Sequence, residues 1–154
     1  MNSSFLERGG LWVVSQSVLM AGVVVLAIGY PGELSSRSVM AIGFALLAIG
    51  AFFGLAGVAA LKGNRTAFPK PREQSNLIQR GIYAHVRHPL YTSVILVSVG
   101  WALVWRSWVA LALGLIMLPF FHAKTKVEER WLRDKFPEYE RYQQRVRRFI
   151  PWVY

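Results

Sequence analysis

LYTSVILVSVGWALVWRSWVALALGLIMLPFF, residues 90–121, is an apolar stretch interrupted by one charge, Arg106. A membrane-crossing helix needs about 20 apolar residues, so the stretch reads either as one long helix or as two short ones joined near Arg106-Ser107. Charge decides between them. Residues 62–88 and 122–154 hold 15 of the 18 lysines and arginines. The positive-inside rule therefore places both flanks in the cytoplasm, which requires two crossings. A single helix would also leave Arg106 near the bilayer centre, at a cost of roughly 2.5–3.5 kcal/mol on insertion scales. A hairpin moves Arg106, with Trp101, Trp105 and Trp108 around it, to the far interface.

Outward from this hairpin, residues 11–29 and 39–61 supply two further spans of adequate length. Tyr30-Pro31-Gly32 ends the first with a turn, and the second carries Gly50-x-x-x-Gly54, a spacing that lets helix backbones approach closely within the monomer. Residues 11–29 are too long for a signal peptide and lack a clean small-residue cleavage site. The expected fold is an all-α integral membrane protein. Its single membrane domain over residues 1–154 has four transmembrane helices (11–29, 39–61, 90–105 and 108–121), both termini in the cytoplasm and a C-terminal cytosolic helical extension. The last two spans are short, which favours tilting or local thinning, and Pro119 is expected to kink the fourth.

Composition agrees with this class. Hydrophobic residues make up 54% of 154, more than a soluble domain needs, and cysteine is absent, which excludes disulfides and thiol chemistry. The net charge of +10 does not imply nucleic acid, because the cations adjoin the apolar spans. They fit orientation and contact with anionic lipid headgroups instead. Arg65 belongs to the cytosolic loop between the second and third spans. The basic tail with Arg141, Arg145, Arg147 and Arg148, ending in Trp152 and Tyr154, is expected to lie along the headgroups.

Polar chemistry gathers where the hairpin meets the cytosol. Pro89 suits the first position of a helix and biases His88 toward an extended conformation. The helix start then offers backbone N–H groups, with Arg87 and His88 beside them, to an anion. At the hairpin's exit, Glu128 falls on one helical face with Leu132 and Phe136 and reads as the inward carboxylate. Its neighbour Glu129 points elsewhere, and an i,i+4 pair with Arg133 would account for it. One helix start for an anion and one helix exit for a cation match the two ends of an amino-acid-like cofactor such as S-adenosylmethionine. A phospholipid headgroup or a nucleotide fits the same pieces. His85, His88 and His122 lack a closing ligand set, so no metal is expected, and no nucleophile elbow is present.

Leu77-Ile78-Gln79-Arg80-Gly81-Ile82-Tyr83, Arg87-His88-Pro89-Leu90-Tyr91, Glu128-Glu129-x-x-Leu132-x-x-x-Phe136 and Tyr139-x-x-Tyr142 occur in that order. In this the chain resembles the isoprenylcysteine carboxyl methyltransferase family, which is similar in its C-terminal half to phospholipid N-methyltransferases. The resemblance covers roughly residues 75–145. It implies a membrane methyltransferase that binds S-adenosylmethionine on the cytosolic side, through segments 75–91 and 122–145, and reaches a lipophilic acceptor through a tunnel to the bilayer. By position it implies cofactor contacts at Asn76, Leu77, Ile78, Tyr83, His88, Pro89, Leu90, Tyr91 and Glu128. Lys124 stands where well-known members carry an acceptor-binding arginine, and Ser93 where a glycine is common, which would narrow the pocket.

Two acceptor chemistries follow. A carboxylate, as on a prenylated cysteine, is ionised at neutral pH and needs only orientation by Lys124. A phospholipid amine must lose a proton, and Glu129 would be the base. The same sequence accommodates an NADPH-dependent enzyme like the sterol reductases, or a non-catalytic lipid-binding bundle. Oligomeric state is not legible.

Overall fold

The computed structural model describes residues 4–32, 36–64, 66–151 and 153; Arg65, Trp152 and Tyr154 lie outside them. Five α-helices follow one another: α1 Gly10–Gly29, α2 Arg37–Leu61, α3 Pro89–Val104, α4 Trp108–Lys135 and α5 Tyr139–Arg145. The described chain is helical and irregular apart from one parallel bridge, Val86 with Arg147. Helices α1, α2 and α4 are long and apolar enough to cross a membrane, whereas α3 is a shorter apolar helix of 16 residues. Large side chains such as Val18, Val25, Phe44, Phe52 and Leu55 are exposed on α1 and α2. Water would not tolerate so wide an apolar surface, and lipid does. The chain is an integral membrane protein.

The turn between α3 and α4 is built from three residues. Ser107 N donates to Ala102 O and Arg106 N to Leu103 O, at 2.9 and 3.1 Å. This is a Schellman closure with Arg106 at φ 58° in the position glycine usually fills. Ser107 then caps α4, its Oγ accepting from Ala110 N at 3.3 Å. Arg106 Nη2 meets Met40 Sδ at 3.2 Å and Ser107 Oγ donates to Leu26 O at 3.4 Å, so this turn shares an end with the α1–α2 connection. The other ends of all four helices lie together at the opposite pole.

Close approach of α2 and α3 depends on glycine. Gly43, Gly50 and Gly57 are buried on α2. A Cβ at Gly50 would lie 3.1 Å from Val97 N, and one at Gly100 of α3 would lie 2.8 Å from Gly43 O. Gly54 leaves room for Ser93, whose Oγ is 2.7 Å from where a Cβ would be. Between α1, α3 and α4 the core is Val23, Ile95, Met117 and Phe121, closed from the C-terminal side by Phe149.

Helix α4 carries Pro119 in its interior and continues to Lys135. The tail packs back onto the start of α3: Arg87 N donates to Arg147 O at 2.8 Å, His88 N to Arg148 O at 3.1 Å and Thr92 Oγ1 to Phe149 O at 3.0 Å. This buries Val146 and Phe149 and satisfies those amides. Arg141, Arg145 and Arg147 stay exposed.

Candidate active site

At the pole opposite Arg106 lies a cavity of about 370 Å³. Its wall is drawn from α1 (Gln16), the end of α2, the 64–78 loop, the start of α3, the exit of α4 and α5. The loop is held in place by Lys135, whose Nζ donates to Glu73 O at 2.8 Å and to Ser75 Oγ at 3.0 Å. Phe68 and Pro69 form part of the wall, and Phe68 is packed edge-on against Phe5 with the Arg8 guanidinium 4.0 Å over its ring. Tyr142 on α5 donates to Tyr83 O at 2.6 Å, which pins the 3-10 turn Gly81–Ala84 beneath it.

The two adjacent glutamates have different tasks. Glu129 is buried and accepts from Arg87 Nε at 3.0 Å, His88 Nε2 at 3.1 Å, Arg148 Nε at 3.2 Å and Arg148 Nη2 at 2.7 Å. Arg87 Nη1 also donates to Gln143 O at 2.8 Å and to Val146 O. A carboxylate out of water is tolerable only with such compensation, so this cluster ties α3, α4 and the tail into one unit. Glu128, a hundred degrees around the helix, faces the cavity with its side chain 22% exposed. It accepts from Tyr91 Oη at 2.6 Å and lies 3.8 Å from His88 Nδ1.

Lys124 lies one turn before Glu128, fully buried and on the cavity wall. Its Nζ donates to Gln16 Oε1 at 2.6 Å and stands 4.9 Å from the Tyr91 ring centre. Tyr91 is itself stacked between His88 and Phe121, at centroid distances of 5.5 and 4.8 Å. Across the cavity, burial raises the Tyr83 hydroxyl above its ordinary range and the negative charge of Glu128 adds to the effect, so Tyr83 is a neutral donor. Tyr139 Oη is buried in the same wall and has no hydrogen-bond partner among the described residues. An orphaned hydroxyl of this kind costs stability unless something that enters the cavity satisfies it.

Of the residues nominated from sequence, Asn76, Leu77, Ile78, Tyr83, His88, Leu90, Tyr91, Lys124 and Glu128 line this one cavity. Pro89 is not part of its wall; it is the first residue of α3 and lies against Gly57. Glu129 is also absent from the wall and is not placed to act as a base, because its oxygens are committed to Arg87, His88 and Arg148. The expected pairing with Arg133 gives way to these partners. The anion drawn to the start of α3 is the protein's own Glu129, and the backbone amides of Arg87 and His88 are taken by the tail. Ser93 lines the cavity with Gly54 making room for it. Sequence reasoning missed Gln16 and Arg148. The first carried a signal, an amide within an apolar span.

The chain is similar to known proteins in sequence and in fold. A family model described as phospholipid methyltransferase matches residues 38–139. Probable protein-S-isoprenylcysteine O-methyltransferases of Oryza sativa, in subspecies indica and japonica, are 32% identical over 83 residues, covering 53% of this chain and 44% of each relative. The protein-S-isoprenylcysteine O-methyltransferase of Schizosaccharomyces pombe is 33% identical over 79 residues, covering 50% of this chain and 34% of the relative. The match thus spans less than half the length of these curated relatives. Among solved structures, the eukaryotic intramembrane Ras methyltransferase, isoprenylcysteine carboxyl methyltransferase, superposes with a TM-score of 0.70 at 22% identity. That superposition covers 99% of this chain and 55% of the other, which establishes a shared fold.

Proposed function

Because the chain belongs to the phospholipid methyltransferase family, we propose that it transfers a methyl group from S-adenosylmethionine to the carboxylate of a lipophilic, isoprenylcysteine-like acceptor. The observation that carries the acceptor chemistry is Lys124. It is a fully buried ammonium on the cavity wall that, among the described residues, has no carboxylate within ion-pair distance. A charge so placed is stabilised by an anion that arrives with the substrate.

The cavity suits the methyl donor. Glu128 offers a carboxylate to its ammonium, Tyr83 and Tyr139 offer neutral hydroxyl donors, and Asn76, Leu77, Ile78, His88, Leu90 and Tyr91 supply the remaining wall. Pro89 contributes by setting the helix start. S-adenosylmethionine, when bound, supplies a methyl group on a sulfonium whose departure leaves a neutral thioether. Glu128 and Lys124, one helical turn apart, would separate the donor end of the cavity from the acceptor end. Lys124 holds the acceptor's oxygen pair, and the surrounding Tyr91 and Phe121 rings exclude water from it. No residue has to remove a proton, since a carboxyl group is ionised near neutral pH.

Four crossings with both termini and the cavity in the cytoplasm fit this reading: the charge distribution supports them, and α3 would cross with tilting or thinning. The family model favours a second reading, methylation of a phospholipid amine. That chemistry needs a base, and Glu129 is not available for it. Mass spectrometry of copurified small molecules tests the donor, with adenosylmethionine or its demethylated product expected and a nicotinamide dinucleotide indicating a reductase. Methyl incorporation into N-acetyl-S-farnesylcysteine and into phosphatidylethanolamine tests the acceptor. Incorporation into the amine alone would overturn the carboxylate assignment.

A further inference from the structure

Gln16 sits within the apolar α1, half-buried and turned into the cavity, where its Oε1 accepts from Lys124 Nζ at 2.6 Å. We infer that Gln16 and Lys124 together form the anion receptor for the acceptor, and that Gln16 is the residue of α1 that selects an acid over its neutral or cationic analogues. The inference rests on the reading above and adds a selecting residue from outside the motif-bearing half of the chain.

An ammonium has three donors, and one is spent on Gln16 Oε1. That bond fixes the long lysine side chain without neutralising it, because an amide oxygen carries no net charge. The ammonium is further held over the Tyr91 and Phe121 rings at 4.9 and 5.8 Å, and the Glu128 carboxylate one turn away favours its charge without coming within ion-pair distance. The other end of the Gln16 amide, Nε2, contacts Met20 Sδ at 3.8 Å, a weak acceptor that a carboxylate oxygen readily replaces. Lys124 thus has two N–H bonds left for an incoming anion, and the Gln16 amide adds its own N–H when Nε2 turns from Met20 to the anion. An acid satisfies all of them, a methyl ester only part, and a protonated amine meets like charge. Lysine cannot form the two-pronged grip of arginine on a carboxylate, and the neighbouring amide supplies the second prong.

The test is binding of N-acetyl-S-farnesylcysteine and of its methyl ester to detergent-solubilised parent and variants, read by isothermal calorimetry. Thermal unfolding serves as the folding control. The parent should bind the acid at least tenfold more tightly than the ester. Gln16→Glu places a carboxylate on Lys124 and should abolish that preference, with acid affinity falling at least tenfold and ester affinity falling less. Gln16→Met keeps size without polar atoms, and should lower acid affinity severalfold and retain some preference. Equal binding of acid and ester by the parent, or parent-like acid binding by both variants, would overturn the inference. Displacement of the farnesylated acid by an equal concentration of phosphatidic acid would also overturn it, by assigning the receptor to phosphate. Methyl transfer is scored separately. A parent that prefers the acid without methylating it keeps the receptor and removes the methyltransferase reading. A parent that methylates, with Gln16→Glu unaffected, does the reverse.

Discussion

Glu129→Gln should destabilise the protein more than any other single isosteric change at this pole. The carboxylate is 2% exposed and its partners Arg87, His88 and Arg148 have side chains 7%, 4% and 15% exposed, with four N–O contacts between 2.7 and 3.2 Å. Charged hydrogen bonds contribute about 1.5–3 kcal/mol each, but they share one carboxylate and do not add. The better guide is the loss on removing one partner of a buried pair, about 3–5 kcal/mol, because guanidinium charge is left without compensation. Glutamine also turns an N–H₂ toward guanidinium groups that only donate. Arg148→Gln should cost less, about 1.5–3 kcal/mol, since Arg87 and His88 still hold Glu129. Equilibrium unfolding by sodium dodecyl sulfate in mixed micelles, followed by tryptophan fluorescence, measures both variants and their double mutant. A Glu129→Gln loss under about 1 kcal/mol, or an additive double mutant, would refute the view that Glu129 is the charge-compensating hub.

Glu128→Gln should leave the unfolding curve nearly unchanged but weaken adenosylmethionine about ten- to a hundredfold by calorimetry, the equivalent of one charge-assisted hydrogen bond. An unchanged dissociation constant would remove Glu128 from the donor site. Tyr139→Phe deletes a buried hydroxyl that has no partner among the described residues, so the ligand-free protein should gain about 1 kcal/mol in micelle unfolding while adenosylmethionine affinity falls; loss of stability would mean the hydroxyl is already satisfied. A Ser107→Cys variant should react with an impermeant thiol reagent from outside oriented vesicles, and labelling only from the cytoplasmic face would contradict the four-crossing topology.

The membrane class and the α3–α4 hairpin were legible along the chain because bilayer cost acts on each residue by its own chemistry. Arg106 is expensive at mid-depth whatever its neighbours, and the bias of flanking lysines and arginines can be counted without tertiary contact. Glycine at positions 50 and 54 likewise announced close helix approach, though only the fold shows that α3, with Gly100 and Ser93, is what approaches.

The resemblance to a methyltransferase family lay in local runs such as Arg87-His88-Pro89-Leu90-Tyr91, and nine of the eleven residues nominated for the site line one cavity. The division of labour within Glu128-Glu129 was not legible. Their positions on α4 differ by about a hundred degrees, and which of them meets cations depends on Arg148, which the tail brings back from 19 residues away. Gln16 is 108 residues from Lys124, and no periodicity in α1 says which helix its amide will meet. Sequence by itself determined which segments suit lipid and which short runs carry the family resemblance. Tertiary structure alone decided which buried charges are compensated, because compensation is a matter of a few ångströms between groups far apart in the chain.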